Sequence, residues 1–377
     1  MPVYLDCNAT TPVDPEVEKE FLHFVREEFG NAGSRTHEYG TRAKQAVQRA
    51  RDQVAAVIKC QREDVVFTSG ATESNNLALL GLREYGEKSG RKHIVTTAIE
   101  HKAVLEPLEH LAQRGFNVTI LKPEPDGSVS AAAVAGALRP DTLLVSVMHV
   151  NNETGVIQPI EEIAKLLAKH EAFFHVDAAQ GFGKRINELQ NRRVDLISIS
   201  GHKIYAPKGI GALVVRRRGY ERPPLTPLVF GGGQERGLRP GTLPVALIVA
   251  LGKAAELALR DCEKRSARCA VIKREALAAF EKVGGVTTGD PAKSVVSTLN
   301  VAIPGLDSEA VMLALKDVVA ISNGSACTSQ NYTVSHVLTA MGLSEDRVKG
   351  ALRLSWCHLT QEVDWPAVVE AIKTIGE

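Results

Sequence analysis

Short apolar runs alternate with helical patterns from about residue 40 to residue 220. "DVVFTSG", "RKHIVTTAIEH", "FNVTILK", "TLLVSVMHV", "AFFHVDAAQ", "VDLISISGHK" and "GALVVRR" read as strands. Between several of them lie "TRAKQAVQRARDQVAAVI", "ATESNNLALLGLREYG" and "IEEIAKLLAKHE", whose apolar positions recur at helical spacing. That order predicts an α/β domain with a largely parallel sheet and crossover helices. A long Ala-, Leu-, Lys- and Glu-rich helical pattern follows from Leu243 to about Lys282. After it, "VVSTLNVAIP", "DSEAVMLALKD", "VVAISNGSAC", "ALRLSW" and "WPAVVEAIKTIG" predict a smaller α+β module joined through the long helix.

In an open α/β sheet, ligands bind beyond the carboxyl ends of the strands. The segments just past these strands are polar: Thr68–Thr72, Glu100–His101, Asn151–Gly155, Asp177–Gln180 and Ser200–Lys203. Lys203 is either a rim charge or an amine made nucleophilic by desolvation. Asp177 is either a local cap or an acid facing a heterocyclic nitrogen. A Schiff-base lysine with an acid on a pyridinium nitrogen is how proteins hold pyridoxal phosphate. "VVFTSGATESNNLALL" places a Gly-Ala-Thr turn before a helix, a phosphate cup or only a capped start. His101 is either structural or, at a strand end, able to stack on a flat ring or shuttle protons, and Asn152 or Gln180 can bond a phenolic oxygen. Arg353, in the alternating strand "ALRLSW", suits an amino-acid carboxylate or an ordinary salt bridge.

Bulk composition narrows the classes. The chain has 377 residues, 44% hydrophobic and 24% charged, with net charge +1. That length suggests about two domains, and the charge predicts no direct nucleic-acid contact and no anionic-membrane contact. The basic run Arg216, Arg217 and Arg218 reads as a solvated turn. The six cysteines include no CxxC pair and no zinc-type spacing. "MPVYLDCNATTP" has neither a basic nor an apolar leader region, and no run reaches membrane-spanning length. A reducing, cytoplasmic compartment is expected. Cys327, in "ISNGSACTSQ", sits among small polar residues, so its thiol is either incidental or reactive.

Together the segments resemble the cysteine desulfurases of the NifS/IscS type, pyridoxal 5'-phosphate enzymes of fold type I. "YLDCNATTPVDP", "TSGATESNN", "EHKAVL", "HVNNETG", "HVDAAQ", "SGHKIYAPKGIGAL", "GGGQERGLRPGTLP" and "SNGSACTS" stand in the family's order across nearly the whole chain. The resemblance implies a large cofactor-binding domain over 15–260. It implies a small domain from 1–14 and 261–377 that carries the catalytic-cysteine loop. Lys203 matches the Schiff-base lysine, Asp177 the partner of the ring nitrogen and His101 the stacking residue. Asn152 and Gln180 match the residues around the phenolic oxygen. Ala71, through its backbone, with Thr72, Ser200 and His202 match the phosphate ligands. Thr242 matches a phosphate contact from a neighbouring subunit, which implies a homodimer. Arg353, assisted by Asn152, matches the group that grips the carboxylate of L-cysteine.

Cys327 matches the thiol that takes sulfur as a persulfide, releasing L-alanine and passing sulfur to an acceptor protein. His101 is expected to take the thiol's proton. The "GSACTS" form is that of the longer-loop group. Iron–sulfur cluster assembly, tRNA thiolation and DNA phosphorothioation are the expected destinations, the last suggested by "SWCHLT". A selenocysteine lyase or aminotransferase of the same fold, or a non-catalytic scaffold, are the alternatives. The chain departs from the family pattern at Cys7 and at Trp356, Cys357 and His358; packing roles, or extra thiols near the site, are both open there.

Overall fold

The computed structural model describes residues 1–323 and 334–375. Every run read as a strand forms one, and all seven join a single sheet. Its order is Val65–Thr68, Gly211–Val215, Leu196–Ser200, Phe173–Asp177, Thr142–Met148, His93–Thr97 and Asn117–Leu121. The last five pair in parallel, whereas Gly211–Val215 runs antiparallel to both neighbours. Several of these strands are buried at every position. Coverage on both faces is why they appear as continuous apolar runs without alternation. Asn117–Leu121, at the sheet edge, is partly exposed along its length.

The stretch "ATESNNLALLGLREYG" does not form one helix. It splits into Ala71–Leu80 and Arg83–Ser89. At the break, a side chain on Gly81 would place Cβ 2.3 Å from the Leu77 carbonyl and 3.1 Å from that of Thr226, which packs against this point. The helix Pro15–Arg26 was not anticipated, although Asp14 caps it by accepting the Glu16 N–H and Pro15 opens it.

The helix Val245–Glu281 runs unbroken between two cores. Ile248 and Leu251 pack in the main core beneath the sheet. Ile272 and Phe280 pack in a second core with Leu5, Trp356 and Trp365. That second core underlies an antiparallel sheet of Ala351–Ser355, Thr298–Ala302 and Val286–Thr287. The N-terminal strand Val3–Tyr4 pairs in parallel with Val319–Ala320. The chain's first residues therefore return to the C-terminal module and then pass over the carboxyl ends of the large sheet.

The basic run is not a solvated turn. Arg216 is buried and donates to the carbonyls of Ile58, Leu189, Asn191 and Val194. Arg218 is ion-paired with Asp195 at 2.6 Å. Only Arg217 is exposed. A guanidinium has five donors, so it can satisfy several buried chain ends at once.

Candidate active site

A cavity of about 410 Å³ opens at the carboxyl ends of the parallel strands. It is lined by Ala71, Thr72, His101, Asn152, Asp177, Gln180, Ser200, His202, Lys203 and Arg353. Surface cavities of about 480 and 680 Å³ contain none of the candidate residues. Chemistry, not size, identifies the site. Two candidates are not brought in: Thr242 is exposed and does not line the cavity of its own chain, and Cys327 lies outside the described residues.

Lys203 ends the short helical turn Gly201–Lys203 that follows the strand Leu196–Ser200. Its ammonium donates to the carbonyl oxygens of Asn8 and Ala9. Two residues on, Tyr205 holds φ +73°, a left-handed conformation costing about 1–2 kcal/mol for a non-glycine. Packing offsets that strain: Arg265 lies 5.0 Å over the Tyr205 ring and His358 meets it edge-on at 4.6 Å. The Tyr205 N–H donates to Thr11 Oγ1 at 3.0 Å. The turn carrying Lys203 is thus fixed against the N-terminal segment.

Asp177 closes the strand Phe173–Asp177 and is 4% exposed. Its Oδ2 accepts from the Asn75 side-chain amide at 2.7 Å, and its Oδ1 accepts from the Ala179 N–H at 2.9 Å. Gln180 donates from Nε2 to the Asn8 carbonyl at 2.9 Å, while its Oε1 is buried with no hydrogen-bond partner among the described residues. The buried Oδ1 of Asn75 likewise has none. Orphaned buried acceptors are costly, about 1–3 kcal/mol each, and both side chains border this cavity.

The cavity's far end is the N-terminus of Ala71–Leu80, preceded by Gly70 at φ +151°. Gly211 lets the strands close here, since a Cβ on it would sit 2.6 Å from the Gly70 Cα. Ser200, His202 and Lys208 flank that helix start. Burial, with the nearby ammonium of Lys203, pushes the His202 imidazole down to about 4. His101 caps the helix Lys102–Ala112, its Nδ1 accepting the Ala103 N–H at 3.1 Å. Burial also lowers its pKa, against the pull of Asp177. Both imidazoles are therefore neutral at neutral pH, presenting flat or hydrogen-bonding faces without charge.

Arg353 is fully buried in the strand Ala351–Ser355. Its Nη2 pairs with Asp6 Oδ1 at 2.7 Å, and Nη1 donates to the Asn152 carbonyl at 3.2 Å. The salt bridge is therefore present, and the same side chain lines the cavity. A helix N-terminus, a buried carboxylate, an amine and a guanidinium around one cavity suit a phosphorylated aromatic carbonyl and a small amino acid.

Sequence reasoning missed the carbonyls of Asn8 and Ala9, which hold Lys203, and the amide of Asn75, which holds Asp177. Both lie inside motifs already noted, "YLDCNATTPVDP" and "TSGATESNN". It also gave no partner for the departures. Cys7 and Cys357 are 2% and 1% exposed and form one buried cluster with Tyr205. The contact between the two thiols draws the pKa of Cys357 down and pushes that of Cys7 up.

A family model described as "Aminotransferase class-V" matches residues 3–365. "Cysteine desulfurase IscS" of Anaeromyxobacter sp. (strain K) is 45% identical over 381 aligned positions, covering 100% of this chain and 92% of that protein. The crystal structure of DndA from Streptomyces lividans is 51% identical, with TM-score 0.83, covering 93% of this chain and 98% of that one. A structure described as "SspA in complex with cysteine" is 36% identical, with TM-score 0.83, covering 95% and 100%.

Proposed function

We propose, for a chain that belongs to the aminotransferase class-V family, that the cavity at the carboxyl ends of the sheet binds pyridoxal phosphate and L-cysteine. The chain is a cysteine desulfurase, converting L-cysteine to L-alanine and transferring sulfur. The observation that carries the site assignment is the convergence of Lys203, Asp177 and Arg353 on one cavity.

The residues fit the cofactor. The start of the helix Ala71–Leu80, with the Ala71 backbone, Thr72, Ser200 and the neutral His202, suits a phosphate dianion. Asp177, oriented by Asn75, suits a protonated ring nitrogen, and the orphaned Gln180 Oε1 marks a polar group the cavity is built to meet. When bound, the cofactor supplies a carbonyl for amine chemistry and a ring that withdraws electrons.

In this reading Lys203 holds the cofactor and then takes the Cα proton of the substrate. Asp177 keeps the ring nitrogen charged. His101 would offer its uncharged face to the ring, and Asn152 and Gln180 would serve the phenolic oxygen. Arg353 grips the substrate carboxylate while Asp6 fixes its fork. The Cys327 thiolate forms an S–S bond as the substrate C–S bond breaks. The electron pair stays on the carbon side, and protons from the thiol and solvent complete alanine. Cysteine and thiol thus become alanine and hydropersulfide with no external oxidant or reductant.

Thr242 would complete the phosphate site of a second copy, making the enzyme a homodimer. The persulfide passes to an acceptor protein. Similarity to DndA favours DNA phosphorothioation over iron–sulfur assembly or tRNA thiolation as its destination. Borohydride reduction of the loaded protein, followed by peptide mass mapping, tests the site. The adduct is expected on Lys203; an adduct on Lys208, or none, contradicts the assignment.

A further inference from the structure

The described chain on either side of residues 324–333 is tied to the turns that carry the site. Before that segment, Ser322 and Arg353 exchange backbone bonds, Ser322 N–H to Arg353 O at 3.2 Å and Arg353 N–H to Ser322 O at 2.6 Å. After it, Ser335 Oγ donates to Glu153 Oε2 at 2.5 Å, and His336 Nε2 bonds the Glu100 carbonyl at 2.9 Å. Glu153 directly follows Asn152, and Glu100 directly precedes His101.

Glu153 is 3% exposed, and burial raises its pKa. Its side chain is not needed to shape its own turn. Asn151 Oδ1 does that, accepting from the Glu153 N–H, the Thr154 N–H and the Thr154 hydroxyl at 2.9, 2.9 and 3.2 Å. A carboxyl buried in such a place costs several kcal/mol unless it is bonded. Its bond is to Ser335, which also accepts the Leu338 N–H at 3.1 Å and so starts the helix His336–Ala340. The carboxyl therefore links two stretches 182 residues apart, one next to the substrate-binding turn and one next to the segment bearing Cys327.

We propose that Glu153 is a positioning residue: through Ser335 it fixes the start of the helix His336–Ala340 against the turn of Asn152, and so sets the rate of sulfur transfer to Cys327. The inference rests on the desulfurase reading above. Removing the bond leaves cofactor and cysteine binding in place, because the groups assigned to both are untouched, and slows only the S–S forming step.

The test is a single turnover of the cofactor-loaded protein with L-cysteine and no reductant. Persulfide on Cys327 is followed by alkylation and peptide mass. The visible absorbance change on adding cysteine reports binding. Glu153→Ala and Ser335→Ala are each expected to slow persulfide formation about tenfold, the worth of one buried hydrogen bond. The cysteine dependence of the absorbance change stays at the wild-type value. Glu153→Gln, which keeps a bond to Ser335, restores most of the rate, and the double alanine variant is no slower than the slower single one. Persulfide formation at the wild-type rate in Ser335→Ala overturns the inference, as do additive losses in the double variant or a loss confined to cysteine binding. No persulfide in the intact protein overturns the desulfurase reading itself and this inference with it.

Discussion

Asn75 and Asp177, 102 positions apart, meet at 2.7 Å in the lining of the cavity, and both are buried. The amide leaves Asp177 with one orientation, because its other oxygen is held by the Ala179 N–H. Asp177→Asn is expected to lower turnover by about 10²-fold or more, since a neutral amide cannot hold a charged ring nitrogen. Asn75→Ala is expected to cost about tenfold through lost orientation. Steady-state alanine formation on cofactor-loaded protein measures both; wild-type rates in Asp177→Asn would remove it from the site.

Arg353 makes a second prediction. Lysine there keeps the charge beside Asp6 but loses the two-pronged geometry. Arg353→Lys is expected to raise KM for L-cysteine by about 10²-fold with a smaller change in kcat. A fall in kcat at unchanged KM would show that the guanidinium does not bind the substrate carboxylate.

Glu100 controls a pH dependence of stability. It is fully buried, and burial raises its pKa from 4.5 to about 8, despite hydrogen bonds from Thr97 and the Met148 N–H. The unfolded chain releases that proton near 4.5 whereas the folded chain keeps it to about 8. Between those values the folded state binds more protons, so stability falls as pH rises. Glu100→Gln removes the proton exchange while its amide oxygen still accepts from Thr97 and Met148. The variant should gain in melting temperature relative to the wild type from about pH 5 to about pH 8. A difference that does not change with pH would place Glu100 among ordinary carboxyls.

Cys7 and Cys357 are packing residues of the Tyr205 cluster in this account. Cys7→Ala or Cys357→Ala is expected to destabilise by about 1–2 kcal/mol, with sulfide release within about twofold of the wild type. Denaturant unfolding and a sulfide assay check this pair. Loss of turnover without loss of stability would make either thiol part of the chemistry.

Much of this was legible in the sequence, for reasons that differ by residue. The strand runs showed because burial on both faces demands continuous apolar side chains, as in "TLLVSVM". Lys203, Asp177 and Arg353 showed because each is a charged residue at a strand end or inside an apolar strand, where a charge needs a reason. The antiparallel course of Gly211–Val215 did not show, since a buried strand reads alike in either direction. Nor did the carbonyls of Asn8 and Ala9, because backbone acceptors carry no residue signature. Arg216 was misread because a run of arginines looks solvated until the chain ends it satisfies are known. The meeting of Cys7 with Cys357 depends on the first strand docking on the last module, a contact that no local pattern encodes.

Sulfur is expected to leave L-cysteine by way of Cys327. The most direct measurement is sulfide and alanine release from L-cysteine with excess reductant, comparing the intact protein with Cys327→Ser. Equal amounts of the two products are expected from the intact protein and neither from the variant, although the variant still binds the cofactor. Normal sulfide release by Cys327→Ser would contradict it.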